Sequence, residues 1–290
     1  MPKTLPENAT PASRRLYDLA VRLAESCPPE LASEIALVGS AAMGLSDDKS
    51  DLDINFWSET IPPEADRVAW LESMGATDVK VGRRRSDYSY PCAGVLAGID
   101  VGCSWQTFNT LNFFTELIAQ GNWAFGEDIP LQILTDVYVQ ALPIRTTGKV
   151  EAAQKRLEHY PIRLGEKTIL QSVNGLDFQF KQIGKSLRYK DELSLVMHLS
   201  VITRQVIDLL YPINRRYSPQ AKWKYQLAGD LPLKPPNLYE RIGLALHDPD
   251  LRQRPIHLAR LMLDTLALVQ DEYDVSAAVN TIQAVLSENE

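Results

Sequence analysis

The sequence predicts an α+β protein, with an α/β half first and an all-α half after it. Strand-type segments, short apolar runs closed by glycine or polar turns, are confined to the residues before 143. From residue 150 onward helical periodicity dominates and strands are hard to find. Between the two, residues 143–148 read as a linker, which places domains at 1–148 and 149–290. A chain of 290 residues is long enough for two domains of ordinary size.

The first half reads in order as follows. Residues 13–32 are helical, with Leu16, Leu19, Ala20 and Leu23 on one face and Cys27, Pro28 and Pro29 breaking the run. Residues 35–38 form a short buried strand ended by Gly39 and Ser40, and 41–45 a short helix. After the polar loop 46–50, residues 51–57 are a second strand. Pro62 and Pro63 start a helix that Gly75 ends, since proline is tolerated in a first turn. Residues 77–81 are a third strand, 82–87 a basic connection through Arg83, Arg84 and Arg85, and 88–90 and 95–105 have further strand character. A helix over 109–120 stops at Gly121, and 123–142 mixes strand and short helix. In the second half, helices are expected over 150–160, 167–187, 191–210, 238–246, 255–272 and 274–286. The proline-rich stretch from Leu231 separates two of them.

Composition narrows the function. Hydrophobic content of 45% and charged content of 23% are those of a soluble globular protein. The net charge of -7 and pI near 5.3 argue against nonspecific binding to DNA or anionic membrane as the main role, although a local basic site can still bind a nucleotide. Cys27, Cys92 and Cys103 show neither metal spacing nor an even framework, so they read as reduced thiols of a cytoplasmic protein. His159, His198, His247 and His257 are scattered, and none pairs with a cysteine at ligand spacing. The N-terminus lacks an apolar signal core, and no segment reaches the length of a membrane span.

The chemistry centres on residues 36–57. Asp51 and Asp53 alternate along a strand and so point the same way. Two adjacent carboxylates repel unless a cation sits between them, and a divalent metal is the usual answer. Before them, the small-residue turn Gly39 and Ser40 offers backbone N–H groups to a phosphate. Asp100 stands between Ile99 and Val101, where a buried carboxylate would need a counter-charge. A third metal ligand fits that place. Magnesium suits carboxylate and phosphate oxygens and requires no histidine or cysteine.

A Gly-Ser turn, a spacer of ten residues (41–50), an Asp-x-Asp strand and a later strand aspartate together resemble the DNA polymerase β-like nucleotidyltransferase superfamily, over residues 35–105. The resemblance implies a nucleotidyltransferase domain with a mixed sheet and flanking helices. It implies that Gly39 and Ser40 hold a triphosphate, and that Asp51, Asp53 and Asp100 hold two Mg²⁺ ions, with Mn²⁺ as a substitute. It also implies in-line attack of a hydroxyl on the α-phosphate of a nucleoside triphosphate, releasing pyrophosphate. The two-domain layout looks most like small-molecule, antibiotic-type nucleotidyltransferases, in which a helical domain completes the cleft. Transfer of AMP from ATP to a small-molecule hydroxyl is therefore the first reading. AMP transfer to a protein, as in antitoxin-type members, and a catalytically idle nucleotide-binding regulator are the alternatives. Nucleic acid and membrane are not expected as partners, and no acceptor or oligomeric state can be read.

The helical half offers weaker candidates. Around Tyr211, Asn214, Arg215, Arg216 and Lys222 sit among aromatic residues, and Arg215 and Lys222 are candidate nucleotide contacts. The competing reading is a solvated helix end. Asp100, Glu116 or Glu127 could serve as the base. Gly184, Lys185 and Ser186 end like a P-loop, but Gln179 stands where that motif needs glycine and no strand precedes it. The Arg83, Arg84 and Arg85 run and the cluster of Lys185, Arg188 and Lys190 read as solvated charge. His198, between Met197 and Leu199, reads as a hydrogen-bonded core histidine.

Overall fold

The structure is a computed structural model that describes residues 4–82, 88–122 and 131–289. The Arg83, Arg84 and Arg85 run and Glu127 lie outside the described residues. The chain divides into two compact units, Met1–His159 and Tyr160–Glu290.

The first unit is built on a six-stranded sheet of order β3-β4-β5-β2-β1-β6. Its strands are β1 (Glu34–Val38), β2 (Leu52–Ser58), β3 (Thr77–Val81), β4 (Tyr90–Leu96), β5 (Ile99–Thr107) and β6 (Leu142–Arg145). β2 pairs in parallel with β5, and the other neighbours are antiparallel, so the sheet is mixed. A parallel pair needs both faces covered, and β1 and β2 are buried almost throughout.

Helix α1 (Pro11–Ser26) lays Leu16, Leu19, Ala20 and Leu23 on one sheet face, and α3 (Glu64–Ser73) adds Trp70 and Leu71. Leu52, Ile54 and Phe56 of β2 and Val101, Cys103 and Trp105 of β5 supply the sheet side of this core. Phe56 stacks on Trp105 at 4.4 Å and meets Trp70 edge-on. The same alternation turns Asp53, Asn55 and Trp57 to the opposite face, with Gly102, Ser104 and Gln106 beside them.

Four further helices complete the unit: α2 (Gly39–Ala42), α4 (Phe108–Ala119), α5 (Leu131–Tyr138) and α6 (Lys149–Arg156). Buried Glu34 receives the start of α6. Its carboxylate accepts hydrogen bonds from Thr147 Oγ1 at 2.6 Å, Lys149 N at 2.7 Å and Val150 N at 2.7 Å. That satisfies donors the helix itself leaves open.

The second unit is helical: α7 (Ile162–Val173), α8 (Leu176–Tyr189), α9 (Glu192–Ile213), α10 (Ala221–Leu227), α11 (Leu238–His247), α12 (Gln253–Ala267) and α13 (Ser276–Asn289). The expected layout holds, a mixed sheet with flanking helices and then a mostly helical region. The expected linker over 143–148 begins instead as a strand, since Leu142–Arg145 is β6 and pairs with β1. Two further expectations, both in the helical half, need correction. The single helix over 167–187 is two, because Gly175 at φ +80° breaks the run and starts α8. A segment of membrane-spanning length and apolarity does exist, namely α9. Its Leu195, Leu199, Ile202, Val206, Ile207 and Leu210 form the core of this unit, so one face of its apolarity serves packing.

Candidate functional site

The turn after β1 sets the site. Val38 pairs with Asp53 across the antiparallel strands, so Gly39 follows directly beside the aspartate. Gly39 has φ +68°, where a side chain is strained, and a β-carbon there would stand 2.9 Å from Asp53 Oδ2. On the other side, Gly102 pairs with Asp53 in the parallel register, and a β-carbon on Gly102 would stand 3.0 Å from Asp53 Oδ1. The Asp53 carboxylate therefore lies in a slot that two glycines keep open.

Ser40 is buried, and its Oγ is 3.1 Å from Ser46 Oγ. Ser46 N donates to Ser13 Oγ at 2.9 Å, and Thr10 Oγ1 donates to Ser46 O at 2.7 Å. Thr10 also caps α1 by accepting from Ser13 N. The hydroxyl of Ser40 is thus tied into a chain that fixes the 39–46 loop to the start of α1. What the turn offers a ligand is its backbone.

Asp51 precedes β2, rather than lying in it as expected, and is exposed. Asp100 is the second residue of β5 and is also exposed, which corrects the expectation of a buried carboxylate. It follows the tight β4–β5 turn, where Ala97 and Gly98 both take positive φ. Asp100 and Gly102 alternate along β5, which puts Asp100 on the face that carries Asp53, and Asp51 and Asp100 each immediately precede the paired Leu52 and Val101 at the same end of the strand pair. Among the described residues, no three His, Cys, Asp or Glu side chains are grouped so as to hold a metal ion. Magnesium does not demand such a group, since it binds through one or two carboxylates together with substrate phosphates. The slot around Asp53 and the purely carboxylate donor set fit that mode.

Two neighbours colour the site. Burial above all pushes the Cys103 thiol well up, with Cys92, Cys27 and then the Asp53 carboxylate as smaller contributors. Sequence reasoning missed Asn55, two residues beyond Asp53 on the same face. It is buried, yet its Nδ2 has no hydrogen-bond partner among the described residues. A polar residue at an inward position of an apolar strand was the available signal. Of the candidate bases, Glu116 accepts from Arg156 Nε at 3.0 Å, and that guanidinium holds its carboxyl below the usual range, which weakens it as a base.

In the second unit, the basic residues near Tyr211 divide by role. Lys224 is the buried one, paired with Asp208 at 2.7 Å. Asn214 is a loop staple: its Nδ2 donates to Leu210 O and Leu233 O, and its Oδ1 accepts from Leu233 N. Arg215 and Lys222 are exposed, Arg215 lying 3.7 Å from Glu272. His198 Nδ1 meets Gln179 Oε1 at 2.7 Å.

Comparison with known proteins adds little to this geometry. A family model described as "Domain of unknown function (DUF4037)" matches residues 129–224, about a third of the chain. No curated protein matches. Among solved structures, a nucleotidyltransferase-like protein from Exiguobacterium sibiricum 255-15 is 14% identical, with 96% of this chain and 79% of that chain covered and a TM-score of 0.43. A likeness that distant carries neither an activity nor a substrate to this chain.

Proposed function

We propose that the first unit binds a nucleoside triphosphate, ATP in the first instance, with Mg²⁺. It would transfer the nucleoside monophosphate to a hydroxyl of a small molecule and release pyrophosphate. The observation that carries this reading is the Asp53 carboxylate, set between Gly39 of the turn and Gly102 of β5, with Asp51 and Asp100 at the same end of the strand pair. Asp53, with Asp51 or Asp100 and the substrate phosphates, would hold the metal, which would supply charge neutralisation for the attacking and leaving oxygens. The Gly39 and Ser40 backbone orients the triphosphate, and the Ser40–Ser46 contact keeps that turn rigid before substrate arrives. Asp100, exposed at the strand start, is placed to take the hydroxyl proton. Arg215 and Lys222 are retained as nucleotide contacts on the strength of their exposed cationic side chains.

A second reading is nucleotide binding without turnover. Pyrophosphate release separates the two, measured with each of the four nucleoside triphosphates, Mg²⁺ and a panel of small hydroxyl-bearing acceptors. Release that depends on an acceptor supports transfer. Tight binding with no product on any acceptor of the panel supports the second reading.

A further inference from the structure

The chain leaves β1 at Val38 and joins β2 at Leu52, so residues 39–51 carry both the turn and Asp51 outside the sheet. Midway along this stretch the chain is gripped by the start of α1. Thr10 Oγ1 donates to Ser46 O at 2.7 Å, and Ser46 N donates to Ser13 Oγ at 2.9 Å. The C=O and the N–H of one residue are thus both taken by side chains of α1 and its cap, whose oxygens stand 3.0 Å apart. Ser13 and Ser46 are buried, so water offers the Ser46 N–H no substitute acceptor. The main chain adds to the grip: Thr10 N donates to Gly44 O at 3.1 Å. Gly44, at φ +76°, packs so closely that a β-carbon there would stand 3.1 Å from Ala9 Cα.

From Ser46 the hold passes both ways along the chain. Its Oγ meets Ser40 Oγ at 3.1 Å. On the other side Asp47 Oδ1 accepts from Lys49 N at 3.0 Å and from Ser50 Oγ at 2.9 Å, a turn that delivers the chain to Asp51. Helix α1 does not need the Ser13 hydroxyl for itself. Its cap is the bond from Ser13 N to Thr10 Oγ1, which uses only the Ser13 backbone. Among the residues that α1 buries, Ser13 is the one with a polar side chain, and a buried hydroxyl is costly without a partner. Ser46 is that partner.

We propose that Thr10 and Ser13 are positioning residues for the triphosphate, an inference that rests on the reading of the Gly39 and Ser40 turn as its seat. By pinning Ser46 they fix the turn and Asp51 relative to each other before the ligand arrives. Groups fixed in advance cost no ordering on binding. The clamp therefore favours the β- and γ-phosphates that the turn holds, and a nucleotide without them gains nothing from it.

Calorimetric titration of the full chain with MgATP and with AMP tests the proposal. The wild type is expected to bind MgATP the more tightly. Ser13→Ala releases Ser46 N but keeps the α1 cap, so MgATP affinity should fall roughly fivefold or more while AMP affinity stays within about twofold of wild type. Thr10→Val should do the same, and Thr10→Ser should restore binding. Thr107→Val is the control. Thr107 caps α4 by accepting from Thr110 N at 3.2 Å, so its loss removes a comparable cap without touching the 39–51 loop, and the preference for MgATP should persist. Ser13→Ala and Thr10→Val proteins that bind MgATP as the wild type does overturn the clamp and leave the reading of the turn standing. Equal losses for MgATP and AMP, or the same shift in Thr107→Val, also overturn it, because they report a general loosening of the fold. A wild type that binds neither nucleotide overturns the reading of the turn and the clamp with it.

Discussion

Asp53 and Gly39 stand so close across the β1–β2 pair that a β-carbon on Gly39 would meet Asp53 Oδ2 at 2.9 Å. The turn and the carboxylate are therefore one unit. Gly39→Ala adds a methyl group at φ +68° and pushes on Asp53. The expected result is a loss of about 1–3 kcal/mol in stability and weaker binding of MgATP, read by thermal melting and calorimetric titration.

Asn55 makes a prediction of opposite sign. Its buried Nδ2 is unpaired among the described residues, and an unmade hydrogen bond there costs about 1–3 kcal/mol. Asn55→Leu keeps the branched shape and removes the orphan, so urea unfolding should show an unchanged or higher midpoint. A marked fall would mean that the amide is satisfied in solution, by water for example.

Glu34 and the start of α6 form a cap that the sequence does not announce, since the partners lie more than a hundred residues apart. Glu34→Ala leaves the Lys149 amide and the buried Val150 amide without acceptors. It should cost roughly 3 kcal/mol by denaturant titration, with Glu34→Gln intermediate.

Lys222 and Lys224, two residues apart, should behave differently. Lys224→Met strands Asp208 in a mostly buried place and should destabilise the second unit by about 3 kcal/mol. Lys222→Ala should leave melting unchanged and raise the KM for the triphosphate. An unchanged KM removes Lys222 from the nucleotide contacts.

The thiols should be inert in the folded protein. All three cysteines are buried, and burial pushes Cys27 up to about 11, so at pH 8 it is protonated and slow to react. Disulfide-exchange reagents should label the native chain slowly and the denatured chain at once. Fast native labelling would contradict the packing behind β5.

How much of this was legible depended on the range of the signal. Gly39, Ser40, Asp51 and Asp53 were visible because the turn and the acidic pair are written within fifteen residues, and their spacing survives in the structure. Asp100 was visible as a lone acid between apolar neighbours, but its exposure was not. That follows from its place next to the Ala97 and Gly98 turn, which only strand pairing reveals. The role of Gly102 was hidden too, because its need for space comes from Asp53 on another strand. In the helical half, periodicity located the helices but could not say which lysine would be buried. Lys222 and Lys224 have the same composition and differ only in which one finds Asp208.

The most direct test of the central claim compares the wild type with Asp53→Asn for magnesium-dependent pyrophosphate release from ATP in the presence of acceptor. The change removes one charge and keeps the shape of the slot, so the fold should persist by circular dichroism and melting. Loss of essentially all release, by more than roughly 10³-fold, is the predicted result. Turnover at the wild-type rate by a folded Asp53→Asn protein would contradict the account.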